Sequence, residues 1–445
     1  MLKKLALANI GPGPKFRMDC ASRLNLITGD NGLGKSFLLD CAWWALTRTW
    51  ARNAVIPTST RPGVSEIAFE FDAKTKSKVV RYASRFDRNS QSWKGKQGRP
   101  SDPGLVLYAQ VDGGFSVWDP QRNYWRTDRG VDVQDRPSAY LFRPDDVWNG
   151  LRVDGKRQCN GLIDDWAAWQ RENKRPFQLL EAALRHLSPD ENETLSIGEL
   201  TRIGLDDSRW IPTIRQPGAG DVPIVHASAG VRRIAALVYL LVWAYTEHEI
   251  AARQRGQPSS RQIIFLIDEV DTHLHPRWQR KVLGALLEVV DELITGGESA
   301  VQIVATTHSP MVMASIEPDF DEATDSHWTL EIDSDSKQVQ LVNRPWAPQG
   351  DVGSWLVSPS FGLQQARSSE AERAIEAAEA LGREDFKSLP AGLNTHAKIE
   401  AELIRLLPAL DPFFIRWRVA GSPSAKAISG PRKFSRKTVV RAKKK

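Results

Sequence analysis

Leu24-Asn25-Leu26-Ile27-Thr28-Gly29-Asp30-Asn31-Gly32-Leu33-Gly34-Lys35-Ser36 is the stretch that decides how this chain folds. Its first five residues are short, apolar and β-prone. From Lys35 to about Trp50 apolar residues recur at helical spacing, so the glycine-rich segment sits where a strand turns into a helix N-terminus. Gly29–Ser36 fulfils G-x-x-x-x-G-K-[ST] in full, with Asp30, Asn31 and Leu33 among its variable positions. Gly29, Gly32 and Gly34 let the backbone wrap a polyphosphate, whose charge the exposed amides at the helix start can bind. Lys35 can reach the β- and γ-phosphates, and the Ser36 hydroxyl can ligate Mg²⁺.

A second half of such a site is written further along. Ile263–Ile267 is an apolar strand that runs into Asp268-Glu269. A strand of this kind is expected beside the loop, where Asp268 reaches the Mg²⁺ shell and Glu269 can polarise the attacking water as a general base. Asp271 follows, then His273-Leu274-His275-Pro276, read as a loop capping the next helix rather than a metal site. Val301–Ala305 forms another strand ending in Thr306-Thr307-His308-Ser309-Pro310, which brings His308 towards the same phosphate. Upstream, His226-Ala227-Ser228-Ala229-Gly230-Val231-Arg232-Arg233 opens a long apolar helix. Ser228 suits its cap, and Gly230 permits close backbone approach.

The 445-residue sequence as a whole sets bounds around these motifs. Hydrophobic residues make up 41% and charged residues 26%, the balance of a globular chain large enough for two or three structural units. The longest apolar run, Ile234–Tyr245, is shorter than the roughly 20 residues that span a bilayer. It reads as a core helix. The N-terminus has no signal-like apolar stretch, so a cytoplasmic protein without a membrane partner is expected. Cys20, Cys41 and Cys159 are too few and too scattered for a disulfide framework or a zinc site. The net charge of +6 is uneven: Lys426–Lys445 carries nine basic residues and no acid, leaving −3 on the 425 residues before it.

The organisation follows from pattern. Leu5–Ile10 and Leu24–Thr28 flank a Gly-Pro turn; Ser65–Asp72 with Lys78–Phe86, and Leu105–Gln110 with Phe115–Trp118, read as antiparallel hairpins. Asp154 to about Leu187 turns helical. Trp328–Ile332 and Gln338–Val342 close the sheet. Beyond Arg344, Ser369-Glu370-Ala371-Glu372 fits a capping box, and Ile399, Leu403, Leu406, Leu407 and Leu410 form an apolar stripe. The expected units are the N-terminal part of a nucleotide-binding head (1–150), a helical insertion (151–215), the C-terminal part of the head (216–345), a helical appendix (346–420) and a basic disordered tail (421–445).

In this order the motifs resemble an ATP-binding-cassette ATPase head of the RecF/SMC/OLD branch. The Asp268-Glu269 pair leading to HLHP, the TTHSP strand end and the Ser228-Ala229-Gly230-Val231-Arg232-Arg233 helix start carry that likeness, over about residues 1–345. It implies an α/β P-loop NTPase fold of ABC-ATPase type: a mixed central sheet, an antiparallel β subdomain, a helical insertion and a small helical C-terminal appendix. It further implies ATP and Mg²⁺ as cofactors. Lys35 and Ser36 are then the phosphate and Mg²⁺ residues, Asp268 the Mg²⁺-shell acid, Glu269 the catalytic base, Asp271 the dimer-contact acid and His308 the switch histidine. Ser228 and Gly230 match the signature that meets the γ-phosphate held by the opposite subunit, so the resemblance implies a homodimer sandwiching two ATP.

Two departures stand out. The signature reads Ala-Ser-Ala-Gly-Val rather than Leu-Ser-Gly-Gly-Gln. The glutamine loop has two candidate positions, Gln110 and the glutamine-free stretch Phe142–Trp148, which resembles RecF. The absence of a coiled-coil heptad array argues against an SMC tether, the signature argues against a transporter subunit, and the C-terminal segment is too short for a Toprim nuclease. Chains of this build resemble ATPase components of bacterial phage-defence systems. The expected function is an ATP-dependent switch acting on DNA or on a protein effector such as a nuclease; the alternative is a RecF-like repair or replication ATPase binding duplex DNA directly.

Overall fold

The computed structural model describes residues 1–58, 63–72, 79–95, 102–129, 131–134, 136–189, 193–216, 218, 220–294, 300–414 and 417. Two compact units form, Met1–Gly362 and Leu363 onward. The sequence expectation for the tail, 421–445, lies outside the described residues.

The first unit is built on an eight-stranded mixed sheet. Its order is Tyr140–Phe142, Phe115–Trp118, Leu105–Ala109, Gln262–Ile267, Ala300–Thr306, Leu24–Gly29, Asp325–Ile332, Val339–Arg344. The middle five run parallel, and antiparallel strands finish both edges. The central strands are mostly apolar because both of their faces are covered, with Asn25, Thr28, Gln302 and Thr306 as buried polar exceptions. Alternation sorts the side chains: Ile263, Phe265 and Ile267 join one core with the long helix Ala229–Gln254, whereas Ile264 and Leu266 join another with the helix Lys35–Thr47. A five-stranded antiparallel sheet that includes Leu2–Ala8, Lys15–Asp19, Glu66–Asp72 and Val79–Asp87 covers this second core. Helix Lys35–Thr47 is therefore clamped between two sheets, which explains why it buries residues on every side, Trp43 and Trp44 among them.

The strand ending in Asp268 finishes at the loop as expected, although Ala300–Thr306 stands between it and the phosphate-loop strand and pairs with both. Several expectations need correction. The insertion is not wholly helical: the antiparallel pair Leu151–Val153 with Lys156–Cys159 precedes helices Leu162–Glu172 and Arg175–His186. Lys15–Asp19 is a strand that the pattern does not announce. Residues 346–362, expected to open the appendix, pack into the head instead. Trp346 stacks on Phe320 with ring centroids 3.7 Å apart, and Trp355 Nε1 donates to Glu317 Oε1 at 2.5 Å.

Helix Ala229–Gln254 is, among the described residues, the one helix long and apolar enough to cross a membrane; 72% of its apolar window is buried in the head, as befits a core helix. All three cysteines are free thiols.

The second unit pairs helices Ser369–Gly382 and His396–Leu406 through Ala374, Ile375, Ala378, Ile399 and Leu403. Its first cap is Ser368, one residue before the expected Ser369, and accepts from Ala371 N at 3.2 Å. Leu410, assigned to the apolar stripe, is 94% exposed because the helix ends at Leu406.

Candidate active site

Parallel strands that start together finish together, so Gly29, Ala109, Asp268 and Thr307 emerge at one edge of the sheet, where ligands bind in open α/β folds. The phosphate loop closes this edge. Gly29 and Gly34 adopt φ of +132° and +102°, which L side chains avoid. Space excludes a side chain as well: a Cβ on Gly29 would stand 2.3 Å from Leu330 O, and one on Gly34 2.6 Å from Pro12 Cγ. Asp30, Asn31 and Gly32 are exposed at the rim, and Leu33 anchors the loop in the core beneath. Lys35 Nζ donates to the carbonyls of Gly29 at 2.8 Å and Asp30 at 3.0 Å. Burial pulls its pKa down, opposed by Glu269 and Asp268, which face it across the loop.

Asp268 is wholly buried. Its Oδ1 accepts a hydrogen bond from Thr306 Oγ1 at 3.1 Å. Its Oδ2 has no hydrogen-bond partner. Burial raises its pKa, against the lowering effect of Ser36, Arg52 and Thr306. A hydroxyl and a carboxylate with one orphaned buried oxygen form an all-oxygen donor set, and that set fits Mg²⁺.

Glu269 holds φ at +47°, an unusual value for a residue with a long side chain. Thr306 sustains it: the same Oγ1 that donates to Asp268 accepts from Glu269 N at 2.7 Å. Thr272 Oγ1 donates to Glu269 Oε2 at 2.8 Å, which leaves Oε1 pointing to His308 Nε2 at 3.6 Å. His308 Nε2 is buried without a hydrogen-bond partner. Burial first, then Lys35, lower the His308 pKa, so the ring is neutral near pH 7. Asp271 Oδ1 accepts from Thr307 Oγ1 at 2.5 Å and from His308 N at 3.2 Å, fixing the tip of the histidine strand within its own chain.

The signature residues stand at a second surface. Ser228 caps the long helix by accepting from Val231 N at 3.4 Å. At Gly230 a Cβ would meet His273 O at 3.0 Å, so the HLHP loop rests directly on the glycine. His275 caps the short helix Pro276–Gln279 by accepting from Arg277 N at 3.4 Å. An open cavity of about 540 Å³ is lined by Ser228, Gly230, His273 and His275.

Of the two glutamine-loop candidates, the fold brings Gln110 close: Asp268 N donates to Ala109 O at 2.9 Å, beside it. Gln110 Nε2 is turned onto Ser116 Oγ at 2.9 Å. Phe142 lies at the sheet edge, two strands further from the loop. Sequence reasoning missed Thr306 as the group that ties Asp268 to Glu269. A hydroxyl at the end of an otherwise apolar strand was the available signal.

The family described as "AAA domain, putative AbiEii toxin, Type IV TA system" matches residues 24–314. The chain is 24% identical to "Septu protein PtuA" of Bacillus thuringiensis over 380 residues, covering 83% of this chain and 86% of that one. It is 27% identical to "Retron Ec83 probable ATPase" of Escherichia coli over 140 residues, 30% of this chain and 22% of that one. Among solved structures, the SMC head domain from Thermotoga maritima aligns over 78% of this chain and 99% of its own, with 17% identity and a TM-score of 0.38.

Proposed function

From its membership of the family described as "AAA domain, putative AbiEii toxin, Type IV TA system", which makes the chain a P-loop ATPase, we propose that it is an Mg²⁺-dependent ATP-hydrolysing switch. One observation carries this reading: Lys35, Ser36, Asp268, Glu269 and His308 converge on one sheet edge, with Thr306 Oγ1 bonded to the Asp268 carboxylate and to the Glu269 backbone N–H.

The loop amides and Lys35 bind the polyphosphate, and Lys35 trades its two carbonyl partners for phosphate oxygens. Ser36 and Asp268 would hold Mg²⁺, which would supply positive charge to screen the phosphates. Glu269 Oε1 takes a proton as water attacks the γ-phosphorus and the bond to the ADP oxygen breaks. His308, neutral and with a free Nε2, holds the γ-phosphate or the water. Ser228 and Gly230 face the γ-phosphate of a second copy, with Asp271 at that interface, so ATP closes a dimer and hydrolysis opens it. The closed dimer controls DNA binding or a protein effector. Phage defence is the proposed setting, supported by the Septu and retron relatives.

The decisive experiment compares ATP binding and hydrolysis by the full chain and Lys35→Ala, with and without duplex DNA. Losing two charged hydrogen bonds to phosphate should weaken binding by about a hundredfold or more. Unchanged affinity in the variant removes the loop from the mechanism.

A further inference from the structure

Asp268 Oδ2 is a fully buried carboxylate oxygen without a hydrogen bond, although a guanidinium stands within reach. Arg52 Nη2 lies 3.7 Å from it, short of contact. What holds Arg52 back is explicit. Its Nε donates to Asp40 Oδ1 at 3.1 Å and its Nη2 to Asp40 Oδ2 at 2.9 Å, the planar fork that suits a carboxylate best. The same Nη2 donates to Tyr108 Oη at 3.1 Å, and Tyr108 Oη donates to Asp40 Oδ1 at 3.2 Å. Tyr108 is wholly buried in the strand next to that of Asp268, so the triangle is fixed to the sheet itself.

We propose that Asp40 is a positioning residue that withholds Arg52 from Asp268 and so keeps Asp268 Oδ2 free for a divalent cation. The proposal rests on the reading of Asp268 as a Mg²⁺-shell acid. Two carboxylates compete for one cation. Asp40 wins by geometry, having the bidentate contact and the phenol as a third member. The Asp40–Arg52 pair is neutral as a unit, so it does not repel a metal at Oδ2. Without the Asp40 charge, Arg52 needs to move only about 1 Å to reach hydrogen-bond distance of Oδ2. It would then occupy the oxygen that the cation requires. Asp40 sits on the phosphate-loop helix, one turn beyond Ser36, so the helix that supplies one magnesium ligand also guards the other.

The test reads metal binding directly. Mn²⁺ replaces Mg²⁺ as a paramagnetic probe, and its binding to the full chain with ADP is titrated by electron paramagnetic resonance. Asp40→Asn should weaken Mn²⁺ by about 10–100-fold, the usual effect of disturbing a ligand's outer partners, while nucleotide binding in EDTA is retained. The double variant Asp40→Asn/Arg52→Gln, with no cation left to invade, should return to within a few-fold of wild type. Rescue by removing a second residue is an outcome that general damage to the fold does not produce. Wild-type affinity in Asp40→Asn overturns the proposal, and so does a folded double variant as weak as the single one. Should Asp40→Asn fail to fold, the double variant alone decides: near-wild-type affinity supports the proposal, and weak affinity overturns it. A wild-type chain that bound no Mn²⁺ with nucleotide would instead sink the ATPase reading beneath it.

Discussion

His308 Nε2 stands 3.6 Å from Glu269 Oε1, with no hydrogen-bond partner of its own, at the tips of neighbouring parallel strands. Thr272 holds the other Glu269 oxygen aside. Glu269→Gln keeps the side-chain shape and removes the proposed base. Turnover is expected to fall by about 10²–10⁴ while ATP binding persists. Because hydrolysis resets the proposed dimer, the variant should accumulate as an ATP-bound dimer on size exclusion with Mg²⁺. A monomer with full turnover would show that base and sandwich are both misassigned.

Thr306 gives a sharper test of how the carboxylates are held. Its hydroxyl accepts from Glu269 N and donates to Asp268 Oδ1, so Thr306→Val removes both bonds and keeps the branched shape. The backbone of Glu269, at φ +47°, then loses its anchor. A kcat decrease of about 10–100-fold is expected, with far less change in ATP affinity, since Lys35 and the loop are untouched. Thr306→Ser restores the hydroxyl and should recover most of the loss. Equal defects in valine and serine variants would point to packing rather than to hydrogen bonding.

How much of this was legible depended on how local the signal was. The phosphate loop, the Asp268-Glu269 strand end and the His308 strand end are contiguous runs whose chemistry does not need a partner to be recognised. Strand order is different. Leu24–Gly29 and Gln262–Ile267 are both buried parallel strands, and nothing in either composition says that Ala300–Thr306 separates them. Lys15–Asp19 escaped notice because KFRMD is short: its two buried residues, Phe16 and Met18, do alternate with charges, but two apolar positions give too little pattern to stand out. Arg52 meets Asp268, and gathers Asp40 and Tyr108 beside it, only through the fold, from positions far apart in the chain. Leu410 failed in the other direction, since periodicity runs on in sequence after the helix that gives it meaning has stopped.

His327 makes stability depend on pH away from Asp268, Glu269 and His308. It is buried on the strand next to the phosphate-loop strand, with Nε2 3.0 Å from Thr28 Oγ1. Burial, with Arg344 adding to it, lowers its pKa from 6.5 to about 4. As pH falls, the unfolded chain therefore takes up this proton before the folded one does. The stability contributed above about pH 6.5 is lost progressively down to about pH 4, with roughly 2 kcal/mol gone by pH 5. Urea unfolding of wild type and His327→Gln at pH 7 and pH 5 measures the difference. The glutamine variant should lose less stability over that interval, and an identical loss would assign the pH dependence to other groups.

The basic segment Lys426–Lys445 separates the two proposed targets of the switch, DNA and a protein effector. Nine positive charges follow 425 residues that sum to −3, so a nucleic-acid backbone would meet its strongest attraction there. Only part of the segment can lie on phosphates at once. With about five or six residues engaged, log affinity for duplex DNA should fall against log salt with a slope of about −4.5 to −5.5. Deleting residues 426–445 should flatten that slope and leave basal ATPase unchanged, because none of the residues converging on the phosphate loop lies in the segment. The measurement is a DNA titration at several salt concentrations on both chains. Identical slopes would mean that the segment does not touch DNA, and the effector would then become the target to pursue.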